Sequence, residues 1–254
     1  MRKQTIKKVE KRQKFTIGRG KYKGLGLFLE SNGTTRPTKA LVKKSFFDTM
    51  QNSLFGKTFI ECFAGSGQMG FEALSLGANN VVFFENNRDA FKNLCKNIAL
   101  FKEKYKYYHN QDIKDTNHNK DSNKYLENMQ HHTYFGIHAH FKDCLQSQDL
   151  IMNFSKNADL CVKNDIIADL SSTSHINNMV LYMDPPFACR IGFETIYTKI
   201  RYFIESFNEC LMQSVDVIVI EGMSNVNFST QIGAFNLVKK SKFGQTTLMY
   251  FTKR

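Results

Sequence analysis

Glu61-Cys62-Phe63-Ala64-Gly65-Ser66-Gly67-Gln68-Met69-Gly70 follows the apolar run Thr58-Phe59-Ile60 and leads into Phe71-Glu72-Ala73-Leu74-Ser75. An apolar run, a G-x-G-x-x-G and a helix-forming segment spell a strand, a tight turn and a helix. Glycines let the backbone turn sharply and let a ligand approach it closely, and the helix that follows points amide donors at that ligand. Thr58–Phe63 therefore reads as a strand, with the glycine loop opening a helix through about Ser75. Asn80–Phe84 reads as the next strand, ended by Glu85. A carboxylate in that place can accept both hydroxyls of a ribose. These residues point to an adenosine-containing cofactor and leave a nicotinamide dinucleotide and S-adenosylmethionine equally open.

The rhythm continues outward. Asp89–Leu100 is an amphipathic helix with Ala90, Phe91, Leu94, Cys95 and Ile98 on one face. Leu160–Val162 and Met179–Met183 read as strands, with a short helix at Ile166–Ser172 between them. A helix over Ile191–Met212, a strand at Val215–Ile220 and a hairpin of Asn236–Lys240 with Thr246–Thr252 close the chain. Alternating strands and helices predict an α/β fold, a mostly parallel sheet covered on both faces. Upstream, Phe15–Leu29 alternates apolar residues with Gly and Lys and predicts a short hairpin carrying cations at its tip. Thr38 is the expected N-cap of a helix to about Gln51. Phe101–Asp159, rich in Asn, His, Gln, Lys and Tyr, breaks the alternation. It reads as an insertion with helices near Asn123–Gln130 and Lys142–Phe154, because a structureless loop of that length is unusual in a compact domain. The expected division is residues 1–50 as a basic extension and 51–254 as the main domain with its insertion.

Asp184-Pro185-Pro186-Phe187 chooses between the cofactors. It ends the apolar run Met179-Val180-Leu181-Tyr182-Met183. Two prolines fix a rigid, extended turn without backbone donors. The Asp184 carboxylate and nearby carbonyls are then a concentrated set of acceptors. An exocyclic amine on a base is a poor nucleophile, since its lone pair is delocalised into the ring. Accepting hydrogen bonds from its two N–H groups orients it and favours a pyramidal nitrogen aimed at an electrophilic methyl. Phe187 can stack on a base held out of its helix. Asp184, Pro185 and Phe187 are the candidate catalytic residues. Phe63, Ala64, Gly65, Ser66, Gly67, Glu85, Asn86 and Asp184 are candidates to line the cofactor. Asp165 follows Leu160-Cys161-Val162-Lys163-Asn164 and could meet an adenine amine; a surface acid near a helix start is its other reading.

Charge identifies the partner class. Residues 1–50 contain fourteen Lys and Arg against three acids, so nearly all of the net +12 lies there. A near-neutral body with a basic head is the pattern of a polyanion-binding arm. Arg19, Lys21, Lys23, Arg36, Lys39 and Lys43 are the candidate RNA contacts. Such contacts give affinity and orientation without sequence choice. The six cysteines are scattered without a C-x-x-C pair, and His131, His132, His138 and His140 match no zinc spacing. Reduced thiols, a polar histidine segment and no metal are expected. With no apolar run near the roughly 18 residues of a membrane span and no apolar stretch behind the basic N-terminus, a cytoplasmic protein without a membrane partner is expected.

These motifs resemble the RsmD family of bacterial 16S rRNA guanine-N2 methyltransferases. The resemblance rests on Gly18-Arg19-Gly20-Lys21-Tyr22-Lys23-Gly24, Arg36-Pro37-Thr38, Phe63-Ala64-Gly65-Ser66-Gly67-Gln68-Met69-Gly70-Phe71-Glu72-Ala73-Leu74-Ser75, Phe84-Glu85, Lys96-Asn97 and Asp184-Pro185-Pro186-Phe187. It implies a Rossmann-like, seven-stranded methyltransferase sheet with the last strand antiparallel, behind a basic hairpin-and-helix extension. It implies a monomer that uses S-adenosylmethionine to methylate N2 of one guanine in 16S rRNA within assembled 30S subunits. By position, Gly65, Ser66 and Gly67 would line the methionine part, Glu85 the ribose and Asp165 the adenine. Arg36, Pro37 and Thr38 would close the methionine end, and Asp184 and Phe187 would hold the guanine. The tail before Phe15 is more basic than the family pattern, and the insertion is longer. Asp112, after Tyr105–Gln111, therefore competes with Asp165 for the adenine; Asp165 is preferred because one short helix fits between it and Asp184. Adenine-N6 methylation with the same cage is the alternative reaction. A non-catalytic RNA binder sits poorly with the intact glycine loop and Asp184, and an NAD-dependent oxidoreductase leaves Asp184-Pro185-Pro186-Phe187 unexplained.

Overall fold

The computed structural model describes residues 13–29, 37–116, 136–140, 142–147, 178–187, 195–226 and 228–253. Strands β1 (Lys14–Thr16) and β2 (Gly26–Phe28) pair antiparallel as a hairpin. The main sheet contains β3 (Thr58–Glu61), β4 (Asn80–Phe84), β5 (Gly136–His140), β6 (Met179–Met183), β7 (Val215–Met223), β8 (Gln231–Ile232), β9 (Phe235–Phe243) and β10 (Thr246–Lys253). Its order is β5-β4-β3-β6-β7-β10-β9-β8. β5 through β7 run parallel. β10 is antiparallel to both β7 and β9. The helices are α1 (Pro37–Met50), α2 (Gln68–Ser75), α3 (Arg88–Thr116), α4 (Ile196–Glu205) and α5 (Glu209–Ser214). Beside the two-residue edge strand β8 the sheet has seven strands, the number the resemblance implies; six of them match strands read from the sequence, and β5 does not. No helix among the described residues is long and apolar enough to cross a membrane.

The parallel strands read as continuous apolar runs because both faces are covered. The two-residue side-chain period divides each strand between two cores. Phe59, Phe83, Tyr182 and Val219 join the core shared with α1, α2, α3 and the hairpin. Ile60, Phe84, Met183 and Ile220 join the core shared with α4 and α5. Phe15, Ile17, Tyr22, Leu27, Phe46 and Phe47 are buried in the first of these. The basic N-terminal segment thus contributes apolar residues to the same core as the sheet.

The hairpin is fixed to α2 by polar groups that explain the sequence Glu72-Ala73-Leu74-Ser75. The Gly18 amide donates to both oxygens of Glu72, at 3.1 and 3.0 Å. The Tyr22 amide donates to Ser75 Oγ at 2.8 Å, and the Lys21 amide to the Ser75 carbonyl at 2.8 Å. Ser75 Oγ donates to the Arg19 carbonyl. Gly20, at φ +73°, lies so close that an added Cβ would stand 1.8 Å from the Ser75 carbonyl oxygen.

Several sequence expectations are corrected. Proline takes the first position of α1, so Thr38 lies inside the helix and is not its N-cap. α3 runs to Thr116 and not to Leu100. The stripe of Leu94 and Ile98 continues through buried Phe101, and Tyr22 of the hairpin packs edge-on against Phe101 with centroids 4.7 Å apart. Tyr105–Gln111 is therefore helix, and Asp112 does not stand at a strand end. β5 is a strand that the sequence reading lacks, although Ile137 and Ala139 alternate with His138 and His140. Those two histidines belong to a strand at the edge of the described sheet. Of the expected helix at Lys142–Phe154, the described residues hold a 3-10 turn at Cys144–Gln146. The single helix over Ile191–Met212 is two, α4 and α5, because the Asn208 side chain accepts from the Leu211 amide at 3.0 Å and starts a new helix. The readings at 123–130, 160–162 and 166–172 fall outside the described residues.

Gly20→Ala should lower stability by about 1–3 kcal/mol, the cost of forcing an atom into a packed contact. Urea denaturation of both proteins measures it. An unchanged midpoint would mean that the hairpin is not held on α2.

Candidate active site

Parallel register brings the carboxyl ends of neighbouring strands to one level, where open α/β sheets bind ligands. Glu61 pairs with Phe83 on one side and Tyr182 on the other. Met183 pairs with Ile220. The crevice therefore receives the glycine loop from β3, Glu85 from β4, Asp184 from β6 and Glu221 from β7.

The glycine loop is closed by the Gly67 amide, which donates to the Ala64 carbonyl at 2.7 Å. Gly65 has φ +52°, and an added Cβ there would meet open space. Gly70 serves packing: a Cβ would stand 2.3 Å from Phe83 Cε1. Glu85 is bound into the loop, since Oε2 accepts from the Gly65 amide and Oε1 from the Asn87 amide, both at 2.7 Å. Ala64 and Ser66 are buried, Phe63 is half-buried and Asn86 is exposed.

Two residues outside the candidate set hold the loop in place. The fully buried Asn97 of α3 donates from Nδ2 to the Phe28 carbonyl at 2.8 Å and to the Ser66 carbonyl at 3.0 Å. Its Oδ1 accepts from the Phe28 amide at 2.8 Å. Glu61, buried at the end of β3, accepts from the Gly70 amide at 2.9 Å. Burial pushes its carboxyl up to about 8, against the Gly70 and Met69 amides, and the carboxylates of Asp184 and Glu85 add to the rise. The sequence signal for Glu61 is an acid inside an apolar run. Asn97 enters the sequence reading only through the family resemblance.

Asp184 is a quarter exposed, and its Oδ2 accepts from Lys39 Nζ of α1 at 2.8 Å. Pro185 is buried; Pro186 and Phe187 are half-buried. Beside them, buried Glu221 accepts from Tyr182 OH at 2.7 Å. Burial raises its carboxyl to about 7; Asp184 adds to the rise, and Lys39 opposes it.

The cation candidates separate by position. Lys39 faces the crevice. Lys43 is half-buried, and its charge acts on the Glu72 carboxyl. Arg19 reaches Asp48 Oδ1 at 2.6 Å while Lys44 reaches Oδ2 at 2.7 Å. Those two hydrogen bonds, Lys44 first, hold the Asp48 carboxyl below its ordinary value. Lys21 and Lys23 are exposed on the hairpin. Sequence reasoning overlooks Lys239, Lys240 and Lys242, exposed on β9. Lys239 Nζ donates to Thr49 Oγ1 of α1 at 2.9 Å, next to a shallow 440 Å³ groove that excludes the crevice carboxylates. Thr38 lies in the first turn of α1, while Arg36 and Asp165 fall outside the described residues. The described strand beside β4 is β5, and Asp143 follows it as the cap of the 3-10 turn. Among the described residues, no three His, Cys, Asp or Glu are grouped to hold a metal ion.

Residues 15–133 match the family described as "Conserved hypothetical protein 95". Over 83 residues the chain is 32% identical to "Ribosomal RNA small subunit methyltransferase D" of Escherichia coli (strain K12), covering 33% of this chain and 42% of that one. Over 83 residues it is 34% identical to the Haemophilus influenzae protein of that name, covering 33% and 43%. The chain thus spans under half the length of the curated relatives it matches. Among solved structures, an Escherichia coli protein described as a proposed methyltransferase, yhhF, superposes with TM-score 0.57 at 17% identity, over 95% of this chain and 99% of that one. A hypothetical protein of Thermus thermophilus gives 0.55 at 14%, over 94% and 99%. Residues 15–133 are similar in sequence to that family, and the fold is the Rossmann-like α/β fold of those solved structures. Asp184 and Glu221 lie beyond the family match.

Glu61 makes stability depend on pH. Its folded value, about 8, lies above its ordinary 4.5, so folding takes up a proton between the two and stability falls as pH rises through that window. Glu61→Gln keeps an acceptor for the Gly70 amide and cannot titrate. Between about pH 5 and about pH 8.5 the variant should lose less stability than the wild type in urea titrations. Equal losses would show that Glu61 folds in its charged form.

Proposed function

We propose that this chain transfers a methyl group from S-adenosylmethionine to the exocyclic N2 of one guanine in the 16S rRNA of the small ribosomal subunit. One observation carries the reading: the Asp184-Pro185-Pro186-Phe187 cage ends the strand beside the one that ends in the glycine loop. A base held by the first then lies next to a cofactor held by the second. The names of the curated relatives support the choice of rRNA.

The residues present fit S-adenosylmethionine. Gly65 leaves open the side on which a Cβ would project, and Glu85 brings a carboxylate to the end of β4 for the ribose. When bound, the cofactor supplies an electrophilic methyl group. Lys39 occupies Asp184 Oδ2, while Oδ1 has no hydrogen bond among the described residues and can accept from the amine. The two prolines keep backbone donors away from it, and Phe187 offers a ring to the base. The chain's contribution is placement of the amine in line with the methyl. The exposed Lys21 and Lys23 supply phosphate contacts that orient the RNA.

Asp184→Asn should abolish methyl transfer and leave binding of S-adenosylhomocysteine, measured calorimetrically, nearly unchanged. Transfer is assayed with labelled cofactor on 30S subunits, free 16S rRNA and DNA, followed by nucleoside analysis. N2-methylguanosine from 30S subunits is the expected product. N6-methyladenosine would replace this reaction with the alternative, and no transfer to any substrate would sink the reading.

Glu85→Ala should behave in the opposite way, weakening S-adenosylhomocysteine binding by about 1–3 kcal/mol. An unchanged dissociation constant would mean that the ribose is held elsewhere.

A further inference from the structure

Guanine and adenine differ along the edge that bears their amine. Guanine carries an N1–H donor beside its N2 amine, whereas adenine carries an N1 lone pair beside its N6 amine. Asp184 can accept from either amine and so does not distinguish them. A pocket for guanine needs a second acceptor next to the first.

Glu221 occupies that place. Met183 and Ile220 are register partners, so Asp184, the first residue past β6, and Glu221, the next residue of β7, stand side by side. Glu221 is only 3% exposed. Tyr182 OH donates to Oε2 at 2.7 Å and fixes the carboxylate. Oε1 is buried and has no hydrogen-bond partner among the described residues. Glu61, the other buried acid at these strand ends, is already bonded to the Gly70 amide. A buried acceptor left unpaired is costly, and such groups mark places where a further partner completes the bonding. Asp184 and Lys39 both act on the Glu221 charge, which places all three in one electrostatic group.

We propose that Glu221 Oε1 accepts the N1–H of the target guanine and thereby selects guanine over adenine. The inference rests on the methyl-transfer reading above. Adenine would turn its N1 lone pair toward this oxygen, acceptor against acceptor. With its carboxyl raised only to about 7, Glu221 has an accessible anion near neutral pH.

The test uses E221Q. Its side-chain carbonyl can keep the Tyr182 hydrogen bond while its amide places donors where Oε1 stood. Small subunits are reconstituted with guanine or 2-aminopurine at the methylated nucleotide. 2-Aminopurine keeps the amine but carries an N1 lone pair. Single-turnover transfer to guanine should fall roughly ten- to a hundredfold in E221Q, the effect of losing one charge-assisted hydrogen bond. The guanine-to-2-aminopurine rate ratio should fall with it, while S-adenosylhomocysteine binding stays unchanged. The missing O6 of 2-aminopurine affects both proteins alike. An unchanged ratio overturns the inference even if both rates drop, because a merely structural role moves both together. If E221Q does not bind S-adenosylhomocysteine, the same ratio is read from E221D, which draws the acceptor back by one methylene; an unchanged ratio there overturns it too. Wild-type protein that leaves guanine unmethylated would overturn the methyl-transfer reading, a result distinct from an active enzyme with an unchanged ratio.

Discussion

The carboxamide of Asn97 joins three backbone groups from two distant parts of the chain. It pairs with both the amide and the carbonyl of Phe28 and with the carbonyl of Ser66. A buried carboxamide must be satisfied or it destabilises the fold. Here it is satisfied only when the hairpin, the glycine loop and α3 take up their places together. The shape of the glycine loop therefore depends on a side chain that belongs to neither the loop nor its strand. The hairpin is held a second time, through Glu72 and Ser75 at the far end of α2. α2 is thus anchored at its start by Gly67 and Glu61 and at its end by the hairpin.

Electrostatics at the strand ends follow from the same packing. Four acids, Glu61, Glu85, Asp184 and Glu221, reach one crevice. Charge is costly for the two of them that are buried, Glu61 and Glu221. The structure resolves this unevenly. Burial drives Glu61 toward its neutral form, Glu85 is bonded by two backbone amides, and Asp184 is paired with Lys39. Lys39 belongs to a basic segment, and composition alone assigns it to the phosphate contacts. Its ammonium also bonds Asp184, a contact that composition cannot reveal.

What can be read in the sequence is what is local. The glycine loop, the strand before it, Glu85 and the Asp184 turn each announce themselves within ten residues, because turn chemistry and side-chain period act over that range. Contacts between distant segments are not legible. Glu72 bonds Gly18 across 54 residues, and nothing near Glu72 distinguishes it from a solvated helix acid. α3 outruns its expected end because Tyr22, far upstream, covers Phe101. β5 is hidden by its histidines, although the alternation of Ile137 and Ala139 is present. Glu221 escapes a sequence reading for a related reason: its place beside Asp184 comes from the register of β7 against β6, which no single segment encodes.

The docking of Gly18 and Gly20 onto α2 bears on how such a chain can change over generations. A hairpin taken from one such chain and joined to the body of another would carry its glycines but leave behind Glu72, Ser75 and Asn97. The graft would then meet a surface lacking the acceptors it needs, and Phe15, Ile17 and Tyr22 would lose part of the wall they pack against. The basic head is consequently not an interchangeable module. Substitutions at Gly18 and Glu72, or at Gly20 and Ser75, are expected to be inherited as pairs, and exchange between lineages should spare the stretch that separates them.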